Sequence, residues 1–155
     1  MTRYATIRAD DYVFMTRFTE TEGATRYYLA GVFIDRVGRL VATDGHRLGM
    51  LCLSKERGEV TKEAPENLIL PVKKELIRAC KDKGDQNFRR YLVLCSDTVR
   101  LVEYGTDSAE GAEEVTGNLI VATWPAAYID GTFPEPGRVV PDPLTIEADL
   151  SKAAV

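Results

Sequence analysis

Polar and apolar positions along this chain follow two rhythms, and their order predicts the elements. Tyr4 to Ala9 alternates among strand formers and predicts a first strand. Asp10 and Asp11 then supply an N-cap and a first-turn acid. Tyr12, Phe14, Met15 and Phe18 follow at spacings that suit a short amphipathic helix, which Gly23 ends. R-Y-Y-L-A-G-V-F-I, Arg26 to Ile34, predicts a strand, and Asp35 to Gly38 a turn. Arg39 to Leu53 predicts the returning strand of a long hairpin, with a bulge or kink at Asp44–Gly45.

Ser54 to Asn67 is polar, carries Pro65 and predicts a surface loop. Leu68 to Val72 predicts a short strand. Lys73 to Lys83 predicts a second helix, with Leu76, Ile77 and Cys80 on one face and Gly84 beyond its end. Tyr91 to Ser96 and Val99 to Tyr104 predict a hairpin around Asp97–Thr98. An acidic Gly/Ala/Ser-containing loop follows from Gly105 to Glu114, then a strand from Asn118 to Trp124. A Pro- and Gly-rich stretch runs to Pro143. Two β-rich halves, each with one helix, predict an α+β domain of antiparallel sheet with both helices covering one face. T-I-R-A-D at Thr6–Asp10 recurs as T-I-E-A-D at Thr145–Asp149. That is either a chance echo of five residues or the start of a second copy of the unit at Leu144.

Composition narrows the function classes. The 155 residues suit one domain, and 45% hydrophobic with 28% charged residues suits a globular chain. A net charge of −4 means that any basic site is local. The three cysteines, Cys52, Cys80 and Cys95, include no C-x-x-C pair, so a structural zinc site has no support and reduced, buried roles are expected. The polar N-terminus lacks a signal peptide, and no apolar run reaches membrane-span length, so a cytoplasmic protein is expected.

The candidate chemistry centres on L-V-A-T-D-G-H-R-L, Leu40 to Leu48, which holds the single histidine, His46. Asp44 and His46 stand two apart, so on a strand they share a face. No G-x-S-x-G accompanies them, and a transition metal wants more ligands than one histidine and one acid. Neither a catalytic residue nor a metal site is therefore assigned, and no cofactor is implied, since no glycine-rich phosphate loop occurs. The basic feature is the second helix, where Lys73, Lys74, Arg78, Lys81 and Lys83 face Glu75 and Asp82. It reads as a solvated face or as a phosphate-facing surface. The first helix does not add to it, because Asp10, Asp11, Glu20 and Glu22 outnumber Arg17.

R-Y-Y-L-A-G-V-F followed by L-V-A-T-D-G-H-R-L resembles the middle domain of the bacterial DNA polymerase III β subunit, the sliding clamp. L-I-L-P-V-K-K-E-L-I at Leu68–Ile77 and I-D-G-T-F-P-E-P-G-R-V-V-P at Ile129–Pro141 resemble later pieces of that domain, in the same order. The resemblance covers nearly all of residues 4–143 and implies a DNA-clamp fold over residues 1–143. Residues 144–155 then form a tail resembling the start of a further clamp domain. It implies a non-catalytic processivity factor that binds short peptide motifs of polymerases, clamp loaders and repair proteins and, assembled in a ring, encircles duplex DNA. The peptide-pocket wall implied for this chain is Leu29, Thr43, Gly45, His46, Arg47 and Leu48, with Pro134, Arg138 and Val139 at the linker side. The DNA-facing residues implied are Lys73, Lys74, Arg78, Lys81 and Lys83.

The chain departs from the family in three ways. Pro136–Gly137 replaces an aromatic, the first helix is acidic, and one domain stands where the family has three. A fragment, a short relative or an oligomerising module would each fit, and a ring of family size would need about six copies. The alternative is a single-domain adaptor or decoy with the clamp fold that does not encircle DNA.

Overall fold

In the computed structural model of the protein, residues 1–21, 23–81, 88–105 and 119–135 are described. The alternating start forms β1 (Arg3–Arg8), whose Ala5 and Ile7 are fully buried. The chain passes directly into α1 (Ala9–Met15) and then one 3-10 turn over Thr16–Phe18. The helix is shorter than the spacing to Gly23 predicts. The Thr16 hydroxyl donates to the Val13 carbonyl at 2.6 Å and the Thr19 hydroxyl to the Thr16 carbonyl at 2.8 Å, so side chains take over carbonyls that a longer helix would use.

The expected strand from Arg26 begins only at Gly31. Leu29 N–H bonds to Arg26 O at 2.9 Å and Ala30 N–H to Tyr27 O at 3.0 Å, which curls Tyr27–Leu29 into a 3-10 turn. β2 (Gly31–Asp35) follows. A Cβ on Gly31 would lie 2.7 Å from both the Ile69 side chain and the Leu70 carbonyl, so the strand enters the sheet at a position with no room for one. The single kinked return strand is instead two strands, β3 (Arg39–Thr43) and β4 (Leu48–Cys52), joined by a tight turn at 44–47. Within the polar loop a short strand, β5 (Gly58–Val60), pairs with β1. The second half matches expectation more closely: β6 (Leu68–Pro71), α2 (Lys74–Lys81), β7 (Phe88–Cys95), β8 (Thr98–Gly105) and β9 (Leu119–Pro125).

All strand pairs are antiparallel. They make a five-stranded sheet, β5-β1-β7-β8-β9, and a four-stranded sheet, β4-β3-β2-β6. Each half of the chain lends a strand to the other: β1 pairs with β7, and β6 pairs with β2. The main core lies where one face of each sheet meets the helices. Ile7, Tyr12, Met15, Val32, Ile34, Leu40, Leu68, Leu70, Leu76, Leu92, Leu94 and Leu101 are buried there. Each such side chain contributes about 1.5–3 kcal/mol against about 1–2 kcal/mol of backbone entropy per ordered residue.

The four-stranded sheet is apolar on its other face too. Phe33, Val41 and Ile69, which alternate with the core residues of β2, β3 and β6, pack with Leu29 and Phe133 in a second cluster. Phe33 and Phe133 meet edge to face at 4.8 Å. The covering segment is pinned by Ile129 N–H to Ile69 O at 3.0 Å and Phe133 N–H to Asn67 Oδ1 at 3.2 Å.

Several polar groups inside the fold are paired, while the buried Oδ2 of Asp11 has no hydrogen-bond partner among the described residues. The Tyr12 hydroxyl donates to Pro71 O at 2.8 Å, and burial raises its pKa. Arg90 meets Glu103 at 2.6 Å with both side chains about nine-tenths buried, and also donates to Ala79 O of α2 at 3.3 Å. Cys80 and Cys95 are buried as expected, and burial pushes the Cys80 thiol up to about 12. Cys52 is exposed, which corrects the expectation for that thiol: β4 is an edge strand, and Cys52, on the same face as Leu48, stands at the far end of the strand opposite Arg39, away from the second cluster. Among the described residues no helix is long and apolar enough to cross a membrane.

Replacing Glu103 by Ala removes the carboxylate beside the buried Arg90 guanidinium and is expected to destabilise the domain by about 3–5 kcal/mol. Urea denaturation of Glu103→Ala and of Arg90→Met/Glu103→Leu checks this. The double variant is expected to recover most of the loss, and a near-neutral single variant contradicts the buried-pair assignment.

Candidate functional site

The turn between β3 and β4 is built by two side chains. The Asp44 carboxylate accepts from His46 N–H at 2.8 Å and from Arg47 N–H at 3.0 Å through one oxygen, and from Arg47 Nε at 3.2 Å through the other. Those donors hold its pKa below the ordinary aspartate value, the two backbone N–H groups contributing most. The Thr43 hydroxyl accepts from Gly45 N–H at 3.0 Å and donates to Arg47 O at 2.7 Å. Gly45 sits at φ 92°, a conformation that favours glycine, and a Cβ there would run into the Arg26 guanidinium. Arg26 donates to Asp44 O at 2.8 Å and pairs with Glu20 at 3.1 Å.

This geometry disposes of an Asp44–His46 acid–base pair, because the acid is engaged with the His46 backbone and not its imidazole. Among the described residues no group of His, Cys, Asp or Glu is arranged to hold a metal ion.

The turn stands at the edge of the second apolar cluster. Thr43 ends β3 and is buried, while Gly45, His46 and Arg47 are exposed. Leu48 starts β4 and packs half-buried against the cluster, in which Leu29 is buried. Pro134 is half-buried directly after Phe133. Leu29, Thr43, Gly45, His46, Arg47 and Leu48 are thus brought to one region, with Pro134 on the covering segment. Arg138 and Val139 lie outside the described residues, as do Pro136–Gly137 and residues 144–155.

Sequence reasoning missed Phe133, Arg26 and Phe18. Phe18 fills the space over Gly49, where a Cβ would lie 2.6 Å from its ring. The signal for Phe133 was present in I-D-G-T-F-P, where one aromatic follows a glycine in a stretch otherwise suited to a loop. Arg26 and Phe18 carried no local signal.

Two grooves border α2. One shallow groove of about 310 Å³ follows α2 between Lys74, Ile77, Arg78 and Lys81. Another, of about 260 Å³, lies between α2, β6 and β9, lined by Leu76, Trp124 and Pro125 among others. Neither touches the turn. The basic residues expected to face DNA separate clearly from the core: Lys73, Lys74, Arg78 and Lys81 are exposed, while Leu76 and Cys80 are buried. Lys83 lies outside the described residues.

No family model matches the chain. It is 30% identical over 151 residues to the β sliding clamps of two strains of Caulobacter vibrioides, covering 90% of this chain. The solved DnaN sliding clamp of Bartonella birtlesii, a DNA polymerase III β subunit bound to griselimycin, superimposes with a TM-score of 0.58 at 27% identity over 90% of this chain. The chain carries a DNA polymerase III β-like clamp domain. It spans 35% of the length of these relatives, so the clamp domain corresponds to about one third of each.

Since folding lowers the Asp44 pKa, its contribution to the turn of the clamp domain is present above the ordinary value of 3.8 and is lost as pH falls through the lower folded value. A carbon-detected NMR titration is expected to place the Asp44 midpoint below 3.8. A midpoint at or above that value contradicts the capped turn.

Proposed function

We propose that this clamp domain is a non-catalytic part of a cytoplasmic DNA polymerase processivity system. It binds clamp-binding peptide motifs of polymerases and other replication or repair proteins at the face formed by Leu29, Thr43, Gly45, His46, Arg47, Leu48 and Pro134, with Arg138 and Val139 as further candidates from the family resemblance alone. Assembled in a ring, as a homo-oligomer or as part of a larger ring-forming chain, it encircles duplex DNA.

The observation that carries this reading is the rigid turn beside the apolar cluster. Asp44 and Thr43 fix the backbone, so little ordering entropy is lost when a peptide docks there. Leu48 offers apolar area beside the polar rim of His46 and Arg47. The griselimycin-bound relative is a clamp of the same type, which makes that compound a second probe beside a peptide.

Two further features support assembly and DNA contact. Among the described residues β4 and β9 are edge strands of different sheets, and Leu119 and Ile120 of β9 are 60% and 50% exposed. Exposed apolar edges invite strand pairing. Lys73, Lys74, Arg78 and Lys81 form a local cationic surface on a chain of negative net charge, and such sequence-independent contacts suit sliding because they fix no register.

Titration with a polymerase-derived clamp-binding peptide is expected to show binding that falls about tenfold in His46→Ala and in Leu29→Ala, with thermal melts controlling for folding. Unchanged affinity in both variants removes the pocket. Sedimentation is expected to show a discrete oligomer, and monomer alone at high concentration removes the ring. Salt-dependent retention of a closed circular duplex excludes the adaptor alternative.

A further inference from the structure

The acidity of α1 is cancelled in three dimensions. Asp11 is buried and accepts from Arg57 at 2.7 Å. Asp10 faces Arg8 at 3.7 Å, and Glu20 pairs with Arg26 at 3.1 Å. Each described acid on or next to the helix has a guanidinium beside it.

Arg17 is the reverse case. It makes no ion pair among the described residues, and its guanidinium lies 5.9 Å from the centre of the Phe14 ring. Phe14 is 46% exposed, although the helix buries Tyr12 and Met15 on its other side. Phe14 meets Phe18 edge to face at 5.5 Å, and the Arg47 guanidinium lies 5.7 Å over Phe18. Arg47 also donates to the Arg17 carbonyl. Two aromatics between two guanidinium groups thus form a row at the C-terminal end of α1. The α1 helix packs on α2, with the Tyr12 hydroxyl reaching Lys73 N–H at 3.4 Å at the start of that helix.

We propose that Phe14 and Arg17 form a contact for single-stranded nucleic acid, an unpaired base stacking on Phe14 and its phosphate pairing with Arg17. An apolar partner would cover Phe14 but would desolvate an unpaired cation. A duplex offers phosphates, but its base faces are occupied by stacking. A single strand supplies both complements at once, a π-face and a negative charge. The inference rests on the reading of the helix layer as nucleic-acid-facing, and adds to it a preference that α2 alone does not supply.

Fluorescence anisotropy at low salt, with a labelled thymidine strand and a hairpin duplex of roughly 20 nucleotides, tests it. Phe14→Ala and Phe14→Leu are expected to weaken single-strand binding about tenfold and leave duplex binding little changed. Arg17→Ala weakens both. Circular dichroism melts equal to wild type show that the exposed substitutions leave the fold intact. Single-strand affinity unchanged in both Phe14 variants overturns the inference. Lys74→Glu/Arg78→Glu tests the helix-layer reading separately: unchanged duplex binding there defeats that reading, even where the Phe14 effect is present. Wild-type protein that binds neither probe overturns both.

Discussion

Three strands of the four-stranded sheet, β2, β3 and β6, are buried on both faces, and the candidate site depends on that. Val41 and Ile69 are fully buried on the face opposite the helices, under Leu29 and Phe133. Without that cover the strands would present an apolar surface of a kind that monomeric proteins rarely leave open. With it, most of the cluster is closed and only its margin, at Leu48 and the 44–47 turn, is left at the surface. The wall proposed to meet peptides is the surface margin of a second core.

The turn at that margin spends its polar groups on itself. Asp44 and Thr43 satisfy the backbone of residues 45–47, and Arg26 holds the Asp44 carbonyl from outside. What remains free to meet a partner is the His46 side chain. Arg47 is committed on both sides, to Asp44 and to the end of α1. The polar rim is therefore stiff, and its chemistry suits recognition better than catalysis, because the one carboxylate beside the histidine is held low by donors and has no free oxygen aimed at the ring.

The architecture was legible in the sequence wherever burial followed one period. β1, β6, α2 and the β7–β8 hairpin appear close to where alternation or helical spacing places them. The misreadings share a cause. V-F-I, L-V-A and L-I-L are apolar without alternation because both faces are covered, so the pattern carried no break to mark where Arg26–Leu29 curls and where β2 starts. The D-G step was visible, but a kink and a hairpin turn look alike until the Asp44 and Thr43 hydrogen bonds are known. The acidity of α1 was legible but its pairing was not: Arg57, which meets Asp11, is 46 residues away and reaches it only through the fold. The residues of the proposed pocket face came through resemblance, while Phe133 and Phe18, which pack beside them, came only from the structure.

The exchange of β1 and β6 between the two halves has a consequence in time. Thr6 pairs with Val93, and Val32 pairs with Leu70. As the chain leaves the ribosome, β1 has no central partner until β7 exists, and the β2–β3–β4 meander lacks its fourth strand until β6 emerges. Neither half can finish a sheet from its own residues, so both sheets close through contacts of long sequence separation, which slow folding. An interval therefore exists in which β1 is made but unpaired, and the short β5, made well before β7, is the first strand available to occupy its edge.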